Sequence, residues 1–177
     1  MRLREFVPDR DLEELASWIT DERTHALWCA GRTDYPLSAE SFAAFLEREQ
    51  AIGTRAFTAV NEDGCPAGFI CIGRIGGTNE AMLKFVVVSP KLRGKGLGQE
   101  LVKLAAGCAF ETEGVSAVQL MVFSVNERAV RCYTAAGFAV RAVTEGAFRF
   151  GDELWDRINM VKYKDPHQKG ISTGNET

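Results

Sequence analysis

Histidine is nearly missing from this chain: there are two in 177 residues, His25 and His167. A histidine-built nucleophile triad or zinc site has almost no material to work with. The five cysteines, Cys29, Cys65, Cys71, Cys108 and Cys132, contain no Cys-x-x-Cys pair. Their odd number and scatter argue for reduced thiols in a cytoplasm, each read as packing rather than as a nucleophile. No apolar run approaches the ~20 residues of a membrane span. Met1-Arg2-Leu3-Arg4-Glu5 lacks the apolar core of a signal peptide. Excess positive charge is also absent, and a net charge of −3 makes nucleic acid a poor partner. The phosphate loop Gly-x-x-x-x-Gly-Lys-Ser/Thr is missing, because no Gly-Lys pair is followed by Ser or Thr. The dinucleotide fingerprint fails at its third glycine, where Gln99 follows Gly94 and Gly96.

What the chain does have is Arg93-Gly94-Lys95-Gly96-Leu97-Gly98. The near-continuous apolar run Met82–Val88, stopped by Ser89-Pro90, precedes it and reads as a strand buried on both faces. Leu97, Leu101, Leu104, Ala105 and Cys108 follow at helical spacing, closed by Thr112-Glu113-Gly114. A glycine-rich strand-to-helix turn directs free N–H groups and the positive helix end at one spot, which suits a phosphate. Lys91 beside Arg93 and Lys95 makes a small basic patch on an acidic protein. A second cassette follows. Val118, Leu120 and Val122 alternate with Gln119, Met121 and Phe123 as in a strand, and Asn126 then caps a helix that Gly137 stops. Ala129, Tyr133 and Ala136 share one face of that helix. Taken alone, Tyr133 reads as a core aromatic.

Elsewhere, a short strand holds Leu3 and Phe6. Asp9 is expected to cap a helix Leu12–Ile19, a second helical piece spans Asp21–Trp28, and Ser38 caps a third with Phe42, Phe45 and Leu46 as its apolar stripe. Arg55–Asn61 and Ala67–Ile75 form a hairpin around Glu62-Asp63-Gly64. Phe138–Glu145 and Leu154–Lys162 form another around Gly151-Asp152. A composition that is 46% hydrophobic and 25% charged is that of one globular domain, residues 1–163, and the polar, aperiodic residues 164–177 read as a disordered tail.

The two cassettes together resemble the GNAT N-acetyltransferase superfamily. Val88 to Gly98 is similar to its pyrophosphate-binding motif Val-x-Pro-x-x-Arg-Gly-x-Gly-x-Gly. Asn126, Ala129, Tyr133, Gly137 and Phe138 are similar to its Asn-x-x-Ala-x-x-x-Tyr-x-x-x-Gly-Phe motif. The resemblance implies an α/β fold: a mixed sheet of about seven strands with helices on both faces, splayed at the cofactor site. The implied order is a strand, two helices, three strands, a helix, a strand, a helix and two closing strands.

It further implies acetyl-CoA as cosubstrate, no metal, and direct transfer to a primary amine of a small molecule or a protein N-terminus. The protein is expected as a monomer or homodimer with no membrane or nucleic-acid partner. The backbone from Arg93 through Gly94, Lys95, Gly96, Leu97, Gly98 and Gln99 would hold the pyrophosphate, with Asn126 opposite. The strand edge at Val86, Val87 and Val88 would pair with the pantetheine. Tyr133 would donate to the departing thiolate. Many family members carry a carboxylate base where Met82 stands here. Glu80, two residues earlier on the same strand face, is the candidate base beside a water relay or an amine already neutral. Trp28, Arg32, Tyr35 and Trp155 are candidate acceptor-site walls, and Asp152, Glu153 and Asp156 either attract a cationic amine or are plainly solvated. The rival reading is a module that senses acyl-CoA without catalysis.

Overall fold

The first strand of the computed structural model, Arg2–Glu5 (β1), leads to three helices, Pro8–Ser17 (α1), Glu22–Cys29 (α2) and Ala39–Ala51 (α3). The order implied by the resemblance has two helices here, but the residue pattern gives three, and the Asp21 piece and the Ser38 piece are both genuine helices. Each has its side-chain cap, Asp21 accepting from the Thr24 N–H and Ser38 from the Ser41 N–H. The first helix differs from its expected bounds. It starts at Pro8, whose fixed φ and missing N–H suit the first helical position, and Asp9 caps nothing. The acid that matters is Asp11, 2% exposed. It takes both guanidinium nitrogens of Arg4 at 2.5 and 2.7 Å, the Val7 N–H at 2.9 Å and the Thr58 hydroxyl at 2.9 Å.

Strands Thr54–Val60 (β2), Pro66–Arg74 (β3) and Glu80–Val88 (β4) follow, then helix Leu97–Glu111 (α4), strand Ala117–Phe123 (β5) and helix Glu127–Ala135 (α5). The hairpin Ala139–Phe150 (β6) and Glu153–Tyr163 (β7) closes the sheet, β6 running five residues past its expected end at Glu145. The structure describes residues 1–165. Lys164 is still anchored, its N–H to the Ser116 carbonyl and its ammonium to that of Phe110, each at 2.8 Å. The rest of the expected tail, with His167, lies outside the described residues.

The seven described strands run in the order β1-β2-β3-β4-β5-β7-β6. Every pair is antiparallel except β4 with β5, which are parallel because α4 carries the chain across between them. Helices cover both faces. Leu101, Val102 and Ala105 of α4 pack with Ile70 and Leu83, whereas Leu15, Trp28, Phe42 and Phe45 of the first three helices pack with Phe69 and Cys71. Adjacent β3 residues thus serve opposite cores, as the period of two requires.

β4 breaks that period. Opposite β3, the step from Phe69 to Cys71 spans Val87 to Lys84, so β4 holds one extra residue. Phe85 sits there with φ of 55°, left-handed and rare for a bulky residue. The insertion flips the strand: Ala81 and Leu83 face the α4 core, but Val87 faces the other. It also ends the parallel pairing. β4 and β5 stay matched from Glu80–Ala117 to Leu83–Leu120, and past that the two strands separate. The expected splay is there, and the bulge is its local cause.

Candidate active site

Where β4 and β5 part, a cleft of about 560 Å³ opens between Val86–Val88, Met121–Val122, the glycine turn and α5. Gly94 and Gly96 have φ of 83° and 79°, and no atom lies within 4 Å of where their Cβ atoms would stand. Their glycine identity answers backbone conformation rather than crowding. Gly98 is different, since a Cβ there would meet the Cys132 sulfur at 3.2 Å, which sets the approach of α4 to α5. From Gly94 through Gln99 no backbone N–H has a partner among the described residues. This run of donors at the N-terminus of α4 is a cradle for phosphate oxygens. Arg93, Arg128 and Arg131 line the cleft, and no carboxylate does. Burial, then the charge of Arg128, push the Arg93 guanidinium below its ordinary pKa. A polyanion would relieve that repulsion. The residues present therefore fit the phosphates of CoA.

Most of the expected cofactor residues are brought together here: Val86, Val87, Val88, Arg93, Gly94, Gly96, Leu97, Gly98, Gln99 and Asn126 all line the cleft. Lys95 does not; it is exposed. Gln99 also braces α5 by donating to the Ala135 carbonyl at 2.6 Å, and Asn126 caps that helix by accepting the Ala129 N–H. Tyr133 is 8% exposed and lines the cleft. Its hydroxyl makes no hydrogen bond with a described residue and is not sealed from the cleft. Burial, and next to it the neighbouring Cys132, push the phenol well above its ordinary pKa. A tyrosine that reads as packing in isolation thus presents an uncommitted donor.

A second cavity, about 340 Å³, adjoins the first on the side of α2 and α3. The two share Leu27, Trp28, Leu83, Phe85, Met121 and Val122, so they meet where the sheet opens. Trp28 stands at that junction, donating from its indole to the Phe85 carbonyl at 2.8 Å and so holding the bulge. Arg32 lines the second cavity. Trp155 and Tyr35 line neither. Trp155 is 0% exposed, sealed among Phe123, Phe148 and Phe150, and it is Phe148 that reaches the cavity. Tyr35 packs against the His25 ring at 5.6 Å.

Glu80 also lies outside both cavities. One strand repeat from Met82, its carboxylate is held by Gln119 at 2.5 Å and Arg141 at 2.7 Å. Glu153 is tied to Arg23 and to the Trp155 indole, and Asp156 takes the Gly146 N–H; neither these nor Asp152 line either of the two cavities. Sequence reasoning missed Glu49. It is 5% exposed, lines the second cavity and pairs with Lys84 at 2.8 Å, which in turn donates to Thr54 at 3.0 Å. The signal was available: Glu49 falls seven residues after Phe42 and four after Phe45, a charge on the buried stripe of α3. The structure also puts His25 Nε2 3.2 Å from the Cys29 sulfur, a buried contact it shares with the Thr33 hydroxyl at 2.9 Å. Among the described residues no group of His, Cys, Asp and Glu could hold a metal ion. No helix among them is long and apolar enough to cross a membrane.

Residues 12–138 match the family model described as the acetyltransferase (GNAT) family. The chain belongs to the GNAT acetyltransferase family. It is 36% identical over 86 residues to a streptothricin acetyltransferase of Streptomyces lavendulae, a stretch covering 49% of this chain and 45% of that protein. It is 25% identical over 115 residues to a spermidine N(1)-acetyltransferase of Escherichia coli K12, covering 65% of this chain and 62% of the relative. The matched stretches thus span less than two thirds of either curated relative. In fold, it is similar to the spermidine N-acetyltransferase of Vibrio cholerae solved with CoA and spermine, with a TM-score of 0.76 at 18% identity over 91% of this chain and 94% of that one. A ribosomal-protein-alanine N-acetyltransferase from Brucella melitensis gives 0.72 at 21% identity over 92% and 99%.

Proposed function

We propose that this protein is an acetyl-CoA-dependent N-acetyltransferase that carries an acetyl group directly to a primary amine of a small molecule or a protein N-terminus. The observation that carries the reading is the uncommitted Tyr133 hydroxyl facing a cleft that joins a second cavity through the parted strands. Acetyl-CoA would supply an activated acetyl thioester. The N–H groups of Gly94–Gln99 hold its phosphates, with Arg93 and Arg128 as counter-charges. The unpaired edge of β4 at Val86–Val88 aligns the pantetheine as an added strand, and an N–H of this edge donates to the thioester oxygen. The Tyr133 phenol is a weaker acid than a thiol of pKa ~8.5. It therefore steadies the departing thiolate by a hydrogen bond instead of surrendering its proton outright.

The amine reaches the junction from the second cavity. Glu80, outside both cavities, serves as a brace for Arg141, not as the base. The amine proton leaves to water, or to Glu49, the one carboxylate that lines the cavity. The uncommitted phenol supports catalysis over acyl-CoA sensing. Measuring CoA-thiol release from acetyl-CoA across a panel of primary amines, beside acetyl-CoA binding alone, tests the proposal. Amine-dependent release is expected, and tight binding with no release from any amine would leave only the sensor.

A further inference from the structure

The second cavity carries an unbalanced charge pattern. Its lining holds three cations, Arg32, Lys84 and Arg157, against the single carboxylate of Glu49. Lys84 and Glu49 neutralise each other at 2.8 Å. The other two cations are left over: neither the Arg32 nor the Arg157 guanidinium makes an ion pair or a side-chain hydrogen bond with a described residue. Other arginines of this chain are committed, Arg4 to Asp11, Arg23 to Glu153, Arg55 to Glu5 and Arg141 to Glu80. Neither Glu153, paired with Arg23, nor Asp156, which accepts the Gly146 N–H, lines the cavity. An overall acidic protein thus presents a locally cationic acceptor chamber.

We propose that the acceptor is a primary amine that also bears a carboxylate, on a large apolar or aromatic body: an amino acid of that type, not a polyamine. This rests on the acetyl-transfer reading. The guanidinium fork matches a carboxylate with two parallel N–H···O bonds. The remaining wall, with Leu27, Ile52, Met82, Met121 and Phe148, is apolar and suits a hydrocarbon or ring. A polycation such as spermidine would meet two unbalanced positive charges and find one carboxylate already paired. In the transfer, the amine nitrogen bonds the acetyl carbon as the carbon–sulfur bond breaks. The thiolate leaves toward Tyr133, and the amine proton goes to water or Glu49.

The test uses matched pairs that differ only by the carboxylate, L-phenylalanine with phenethylamine and L-tryptophan with tryptamine, and spermidine beside them. Turnover with acetyl-CoA and equilibrium binding to the CoA-loaded protein are both measured. The carboxylated member of each pair is expected to lead by ~10-fold or more in kcat/KM and in affinity, as for hydrogen bonds to a charged group. Arg157→Ala and Arg32→Ala should each erode that lead, and acetyl-CoA affinity of each variant, read at the separate first cleft, is the check on folding. High salt should erode the lead too, since both guanidinium groups are exposed. Equal use of the twins, a preference for spermidine, or a lead untouched by either substitution would overturn the proposal. Should no amine release thiol, the transfer reading fails; equal binding of the twins would then overturn this inference as well, and carboxylate-selective binding would sustain it.

Discussion

Replacing Tyr133 by phenylalanine removes one oxygen from a ring that is otherwise buried. The ring sits with Leu120, Val122, Ala136 and Phe138 in the α4 core, so packing survives the change. The oxygen has no hydrogen bond to lose within the described protein, so the fold should be indifferent to its removal. What disappears is the donor offered to the leaving thiolate. A hydrogen bond to a charged group is worth about 1.5–3 kcal/mol. At about 1.36 kcal/mol per decade, turnover should fall roughly 10- to 10²-fold. Affinity for acetyl-CoA should barely move, because in the proposed reading the unpartnered backbone N–H groups of Gly94–Gln99 do the holding. The pH–rate profile should keep its shape up to about pH 9, since burial keeps the phenol protonated throughout that range. Steady-state kinetics and calorimetry on the same variant separate these effects. A loss beyond about 10³-fold with a displaced alkaline limb would mean full proton transfer. Wild-type turnover with normal affinity would make Tyr133 a packing residue and refute the reasoning.

Four further substitutions probe other parts. Gly96→Val forces a β-branched residue to φ of 79° and should weaken acetyl-CoA binding at least ~10-fold, while Lys95→Ala, at an exposed position outside the cleft, should cost little; calorimetry giving equal, small losses would reject the backbone account. Glu80→Gln should leave the pH–rate profile and turnover within about twofold of the parent and cost about 1 kcal/mol of stability through Arg141, whereas a large rate loss would restore Glu80 as a base. Burial raises the Asp11 pKa, but hydrogen bonds from Arg4, the Val7 N–H, Arg10 and Thr58 outweigh it and hold the carboxyl far below its ordinary range. The group's contribution is fully present above the unfolded value near ~3.9 and is lost as pH falls below it. Asp11→Asn should therefore destabilise by about 3 kcal/mol at pH 7, about 6–12 °C in Tm, and flatten the acid limb of the stability curve; an unchanged melting temperature would show that the network contributes nothing.

The cleft proposed to hold the acetyl donor was legible in the sequence because it is built from local chemistry. Gly94, Gly96 and Gly98 follow directly on a strand, and Asn126, Ala129 and Tyr133 repeat within one helix, so spacing alone places them. The second cavity was not, because it depends on which distant segments meet. Glu49 and Arg157 are more than a hundred residues apart in the chain and share a cavity only through the sheet order that puts β7 beside β5. Trp155 and Glu80 show the same limit from the other side. Alternation placed each on a face, but only the packed structure shows a ring enclosed by Phe123, Phe148 and Phe150, and a carboxylate occupied by Arg141 and Gln119. The bulge at Phe85 left no mark in the apolar run Phe85–Val88, since its residues suit burial on either face.

The most direct measurement of the central claim follows the acetyl group itself. Protein loaded with isotope-labelled acetyl-CoA is mixed with an amine that supports thiol release, and mass spectrometry locates the label after a single turnover. The account predicts label on the amine nitrogen in one-to-one proportion with free CoA thiol, and none retained on the protein. Label found on a protein side chain such as Cys29, or thiol released without acetylated amine, would contradict it.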